Sequence, residues 1–188
     1  MSEIKAIMLQ VADELTTTFS ELNEAQLKAL ESEILSAKKI FVAGAGRSLM
    51  MIRGLAMRLM HMGFESYVVG ETVTPAIEPG DLLVIASGSG ATGTLRVIAE
   101  KCKQLGAALA LITTQPESPI GSLADVVVEV GAVSTKVEQH ARSSIQPGSN
   151  TFEQTVLLIG DAIIIDIVSD ETIAQRNEEL MRRHANLE

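Results

Sequence analysis

Apolar residues recur at the start of the chain at intervals of three and four: Ile4, Ile7, Met8, Val11 and Leu15. That spacing lines one face of an α-helix, expected to run to about Leu22. Asn23 and Gln26 have the spacing of a capping box, so a second helix is expected there, with Leu27, Leu30 and Ile34 on its apolar face. The period then changes. Residues 39–43 form a short apolar run that stops at Gly44, which reads as a strand. A helix rich in Met and Leu is expected over about 50–62, closed by Gly63, and a strand over 66–69. After a loop at 72–80 the pattern repeats. Residues 81–86 read as a strand, 87–92 as a Gly/Ser loop, 95–105 as a helix and 108–113 as a strand. Residues 126–130 supply a fifth strand. The polar stretch 131–148, with Lys136, His140 and Arg142, is long for a structureless connection, which points to function or mobility. A buried core helix is expected over about 151–168, then a charged tail over 171–188.

Short continuous apolar strands alternating with helices indicate a parallel sheet covered on both faces. The expected fold is therefore α/β: a three-layer, doubly wound, five-stranded parallel sheet with helices on both faces. The two strand–loop–helix–strand units start about forty residues apart, a weak βαβ repeat. At 188 residues the chain fits one domain, large enough to hold together without a disulfide or a metal. With no Trp and 3% aromatics, its core must be built from Ile, Val, Leu, Ala and Met.

Charge and cysteine narrow the classes further. A net charge of -9 repels polyphosphate, so nucleic acid is not an expected partner. Cys102 is alone, which excludes an intrachain disulfide and fits a reducing compartment; a buried, inert thiol is expected rather than a nucleophile. Residues 1–5 do not resemble a signal peptide. The longest apolar stretch, 156–168, is shorter than the ~20 residues a membrane span needs. It also contains Asp161 and Asp166, expected to pair across helices because a buried carboxylate needs a partner. The expected location is cytoplasmic, with no membrane partner.

Two loops carry candidate chemistry. Gly44-Ala45-Gly46-Arg47-Ser48 lies between a strand and a helix, where glycine permits a sharp turn and the helix N-terminus offers N–H groups to an anion. A dinucleotide fingerprint would need a third glycine where Leu49 stands, with Glu71 as ribose ligand, and no phosphate-loop lysine motif is present. Ser87-Gly88-Ser89-Gly90-Ala91-Thr92 combines three hydroxyls with glycine amides and suits a phosphate dianion; its plainer reading is a βα turn with a Ser or Thr cap.

These loops, with Ala56-Met-Arg-Leu-Met-His-Met-Gly63, Val69-Gly-Glu-Thr72, Phe152-Glu-Gln154 and the closing Arg183-His-Ala-Asn-Leu-Glu188, resemble the sugar isomerase (SIS) domain family. Within it they are most similar to the 6-phospho-3-hexuloisomerases, over nearly the whole chain. The resemblance implies interconversion of D-arabino-hex-3-ulose 6-phosphate and D-fructose 6-phosphate through a cis-enediolate, in the ribulose monophosphate pathway of formaldehyde fixation. It implies no cofactor and no metal. It gives Gly46, Arg47, Ser48, Ser87, Gly88, Ser89 and Thr92 to the phosphorylated ketohexose and Glu153 to proton transfer. It also implies a homo-oligomer, expected to be a tetramer, with sites near subunit boundaries, which draws in His61 and His184. The sequence departs from the family at Leu49, usually Gly, and at Ala91, usually Glu.

Each residue also has a plainer reading. Asn150 and Glu153 have capping-box spacing. His61 sits in an apolar helix, where a core or interface imidazole is the commoner role. His184 follows Arg182 and Arg183 in a solvated tail, and Arg47 has the option of pairing with any carboxylate. Two further functions stay open at this point: a non-catalytic sugar-phosphate sensor of the same family, and an NAD-binding domain.

Overall fold

A computed structural model describes residues 3–131, 144–148, 150–169 and 172–187, with the side chains of 173, 176 and 179 left aside. Lys136, His140 and Arg142, and the ends of the expected tail at Glu171 and Glu188, lie outside the described residues. Five strands, β1 (Ile40–Gly44), β2 (Ser66–Val68), β3 (Leu82–Ala86), β4 (Ala108–Thr113) and β5 (Val126–Glu129), form one sheet. All pairings are parallel and the order is β2-β1-β3-β4-β5. The helices are α1 (Ile4–Ser20), α2 (Glu24–Ser36), α3 (Gly46–His61), α4 (Gly93–Gln104), α5 (Asn150–Ile167) and α6 (Ile173–Arg183). The expected doubly wound α/β architecture is what forms.

The central strands β1 and β3 are apolar at every position because both faces are covered, whereas the edge strands β2 and β5 admit Ser66 and Glu129. Ile40, Val42, Leu82, Val84 and Ile112 point to one side, where α2, α3 and α5 add Leu30, Ile34, Ile52, Leu59, Phe152 and Val156. Phe41, Leu83, Ile85, Leu109 and Leu111 point to the other, against Leu95, Ala99 and Cys102 of α4. Fully burying such a side chain contributes roughly 1.5–3 kcal/mol. Cys102 is buried, and that burial pushes its thiol up to about 11, as an inert core thiol requires.

Local departures from the expected elements each have a cause. Asn23 does cap α2, accepting from the Ala25 N–H at 2.9 Å. Gln26 does not complete the box, because its side-chain oxygen accepts the Glu129 N–H of β5 at 2.9 Å. α3 begins at Gly46, so Gly46, Arg47 and Ser48 are its first turn and not a loop before it. The charged tail is largely α6, started by a Thr172–Gln175 capping box that the scarcity of apolar residues obscured. Asp166 finds its partner across helices in Lys28 of α2, though both side chains are about half exposed. Asp161 forms no ion pair among the described residues. The apolar stripe that opens α1 stays exposed: Ile4 is 77% and Met8 67% accessible. Among the described residues no helix is long and apolar enough to cross a membrane.

Candidate functional site

The sheet order reverses direction between β1 and β3. β1 leads into α3 on one face and β3 into α4 on the other, which opens a crevice at the strand C-termini. Gly44 is paired with Ala86, so the two loops start side by side, about 4.8 Å apart. Ala45, the N-cap of α3, has no side-chain acceptor, and Thr92, the N-cap of α4, makes no side-chain cap bond. The first-turn N–H groups of both helices therefore lack a cap from these residues and suit an anion.

The 87–92 loop is held from below. Gly88 C=O accepts the Thr113 hydroxyl at 3.1 Å and the Thr114 hydroxyl at 2.8 Å. Ser87 is buried, its N–H donating to Ile112 C=O at 3.0 Å. Gly90 has φ +56° and sits where a Cβ would overlap the Ser118 hydroxyl, so a glycine is required. Ser89 Oγ accepts the Ala91 N–H at 3.3 Å, the turn contact of the plainer reading, and its own hydrogen remains available to donate. Thr113 and Thr114 were missed in the sequence; their only signal there is two hydroxyls at a strand end.

α5 closes the crevice. Phe152 is fully buried, with a ring carbon 3.5 Å from where a Cβ on Gly88 would stand. The next residue, Glu153, has Oε2 2.5 Å from Arg47 Nε in the first turn of α3. The two approach as an ion pair, but the angles are not those of a hydrogen bond, and Oε2 is buried. Asn150 lies inside α5, not at its N-cap, so the expected Asn150–Glu153 capping box is not the arrangement found. Gln154 Oε1 is also buried without a hydrogen-bond partner, a feature that no sequence pattern signals. A groove of about 440 Å³ lies elsewhere, along the later turns of α5, lined by Phe19, Leu22, Leu27 and Ile163. Beside these apolar residues it is lined by Lys28 and by the carboxylates of Glu24, Glu31 and Asp166, a net negative charge that does not suit a phosphate dianion.

Two expected site residues lie apart from this cluster. α3 and α5 run parallel, with Arg47 beside Glu153, Gly54 beside Leu157 and Leu55 beside Gly160. His61 ends α3, roughly 20 Å along the helix from Arg47. There it stacks on His184, with ring centroids 5.6 Å apart and planes 14° from parallel. Arg183 donates to His61 C=O at 3.2 Å. Within one chain the structure thus unites Gly46, Arg47, Ser48, Ser87, Gly88, Ser89, Thr92 and Glu153 around the crevice. It unites His61 with His184 at the other end of α3.

Comparison with known proteins identifies the family of the fold. The SIS domain family matches residues 33–159. The chain is 39% identical over 179 residues to the 3-hexulose-6-phosphate isomerase of Bacillus subtilis (strain 168), covering 95% of this chain and 96% of that one. It is 42% identical over 178 residues to the 3-hexulose-6-phosphate isomerase of Mycobacterium gastri, covering 95% and 88%. A Methanococcus jannaschii protein, whose crystal structure infers a function of 3-hexulose-6-phosphate isomerase, superposes with a TM-score of 0.81 at 33% identity, covering 97% of this chain and 99% of that one. The matched span runs from α2 through the whole sheet and both loops into α5, and the chain belongs to the SIS domain family.

Proposed function

We propose that the protein is an isomerase interconverting D-arabino-hex-3-ulose 6-phosphate and D-fructose 6-phosphate. The observation that carries this reading is the meeting of a carboxylate, Glu153, with two hydroxyl- and amide-rich helix starts at one sheet crevice. The relatives named 3-hexulose-6-phosphate isomerase supply the substrate. In this reading Ser48, Ser87, Ser89 and Thr92, with the amides at Gly46 and Gly88, anchor the phosphate and hold the sugar in register. Glu153 removes the proton on C2. The C–H electron pair becomes the C2=C3 double bond, and charge moves onto O3, beside the Arg47 guanidinium. The O2 proton passes to O3, C2 becomes the carbonyl carbon, and Glu153 returns its proton to C3. Protons and electrons balance with no added reactant.

The family resemblance further supports a homotetramer in the cytoplasm. In such an assembly His61 and His184 would act at a neighbour's crevice, since their own lies a helix length away. The test is to incubate purified protein with hex-3-ulose 6-phosphate in deuterated water, following fructose 6-phosphate formation and exchange at C2. Glu153→Gln keeps the size of the side chain but cannot take a proton. It should lower kcat by ~10²–10⁴ and suppress exchange, with KM nearly unchanged. Near wild-type turnover and exchange in that variant would move the base to another residue.

A further inference from the structure

Glu14 stands on α1, near the segment that leads into α5. Its carboxylate oxygens accept three hydrogen bonds from that segment: the Ile145 N–H at 2.9 Å, the Ser144 hydroxyl at 2.8 Å and the Gln146 side-chain amide at 3.1 Å. The Gln146 amide also donates to Thr151 Oγ1 at 3.2 Å, inside the first turn of α5. Ser144 Oγ in turn accepts the Gln146 N–H at 3.0 Å, which folds the segment around the carboxylate. Two residues beyond Thr151 stands Glu153, against Arg47. One anion on α1 is thus joined by a short line of hydrogen bonds to the turn that carries the proposed base.

We propose that Glu14 is a positioning residue: by pinning residues 144–146 it fixes, through Gln146 and Thr151, where Glu153 stands against Arg47 and the 87–92 loop. The proposal rests on the reading of Glu153 as the base. The first turn of a helix is its least constrained part, because its N–H groups have no intrahelical partners. Here Phe152 anchors one side of that turn under Gly88, and the Gln146–Thr151 bond ties the other. Partial burial pulls the Glu14 carboxyl up, but the bonds from Ile145, Gln146 and Ser144 oppose it and the group is held below its ordinary value. An amide in its place has one acceptor oxygen for these donors, and its NH₂ meets the NH₂ of Gln146.

The phosphate loops make none of these contacts, so a displaced Glu153 should change turnover more than substrate affinity. Misplacing a reacting group by about 1 Å is enough to cost up to ~10²-fold. Glu14→Gln should therefore lower kcat about 10- to 100-fold and change KM less than about 2-fold, in assays well below its melting temperature. Gln146→Glu should also lower kcat, by setting two carboxylates together. The combined exchange, Glu14→Gln with Gln146→Glu, restores one amide facing one carboxylate and should recover kcat to within a few-fold. A merely structural anchor would move Tm in the single variants and leave kcat in place, and that result overturns the proposal. Glu153→Gln, measured alongside, separates the two readings. If it is inactive while both single variants turn over normally, only the role of Glu14 fails. If it turns over normally, the base assignment falls and takes the positioning role with it.

Discussion

His61 shows what one buried titratable group does to the chain. It is 3% exposed, and its Nδ1 has no hydrogen-bond partner. Burial, then the charge of Arg58, then that of His184 hold its pKa below the ordinary 6.5. The unfolded chain therefore takes up this proton first as pH falls. Stability present above about pH 6.5 is lost as pH drops through the lower folded value. Melting temperature should decline between about pH 7.5 and pH 5 more steeply in the wild type than in His61→Phe, which keeps an aromatic ring against His184 but cannot charge. Parallel curves for the two proteins would exclude His61 as the source. Glu14 and Asp166, both lowered by their partners, contribute in the same direction at more acid pH, below their ordinary 4.5 and 3.8.

At the scale of the elements, the 87–92 loop decides whether the crevice is a rigid receptor or a pliant turn. Gly90 is its least replaceable position. A side chain there would need φ +56° and would displace Ser118, whose neighbour Ile120 donates its N–H to Gly90 C=O at 3.0 Å. Gly90→Ala should cost at least about 1–2 kcal/mol from backbone strain alone and lower Tm by several degrees. It should also raise KM for the sugar phosphate. Gly93→Ala, with open space around it in the first turn of α4, should barely change Tm. Equal Tm in the two variants would show that the loop yields. The elements around this loop were legible in the sequence because the central strands of a covered parallel sheet read as continuous apolar runs, which end here at Gly44 and at Ser87-Gly88. The site was legible in outline, since both loops follow such strands. What the sequence concealed depends on three-dimensional neighbours. Gln26 looked like a cap because its partner, Glu129, is about a hundred residues away. Asn150 and Glu153 looked like a box because spacing cannot report that Arg47 stands beside the carboxylate. α6 was hidden because its capping signal precedes a charged, weakly apolar stretch.

At the scale of the whole molecule, two apolar faces are left exposed among the described residues. Residues 4–10 of α1 are all exposed, including Ile4, Ile7 and Met8 on one helical face. An isolated helix of that length is marginal in water, because helices in proteins draw their stability from packing an apolar face. On α3, Met50, Met57 and Met60 share a second exposed face, 56%, 48% and 40% accessible. With a net charge of -9 acting to keep copies apart, such faces persist only if burying them offsets the repulsion. A stable interface buries about 1,200–2,000 Å² in all, and two separate faces suit the two kinds of contact that a dihedral tetramer needs. Light scattering should therefore give the mass of four chains across the working concentration range. Met8→Glu and Met57→Glu, each placing a carboxylate on one face, should each reduce the assembly to dimers, and together to monomers. Met8 lies near the start of α1, and Met57 lies about three turns along α3 from Arg47. If kcat falls in step with dissociation while the circular dichroism of the separated chains is unchanged, each crevice borrows groups from a neighbour, and His61 and His184 are the residues to exchange next. A wild-type chain that scatters as a monomer would leave both faces without the partner argued for here, and would confine the chemistry to Arg47, Glu153 and the two loops of a single chain.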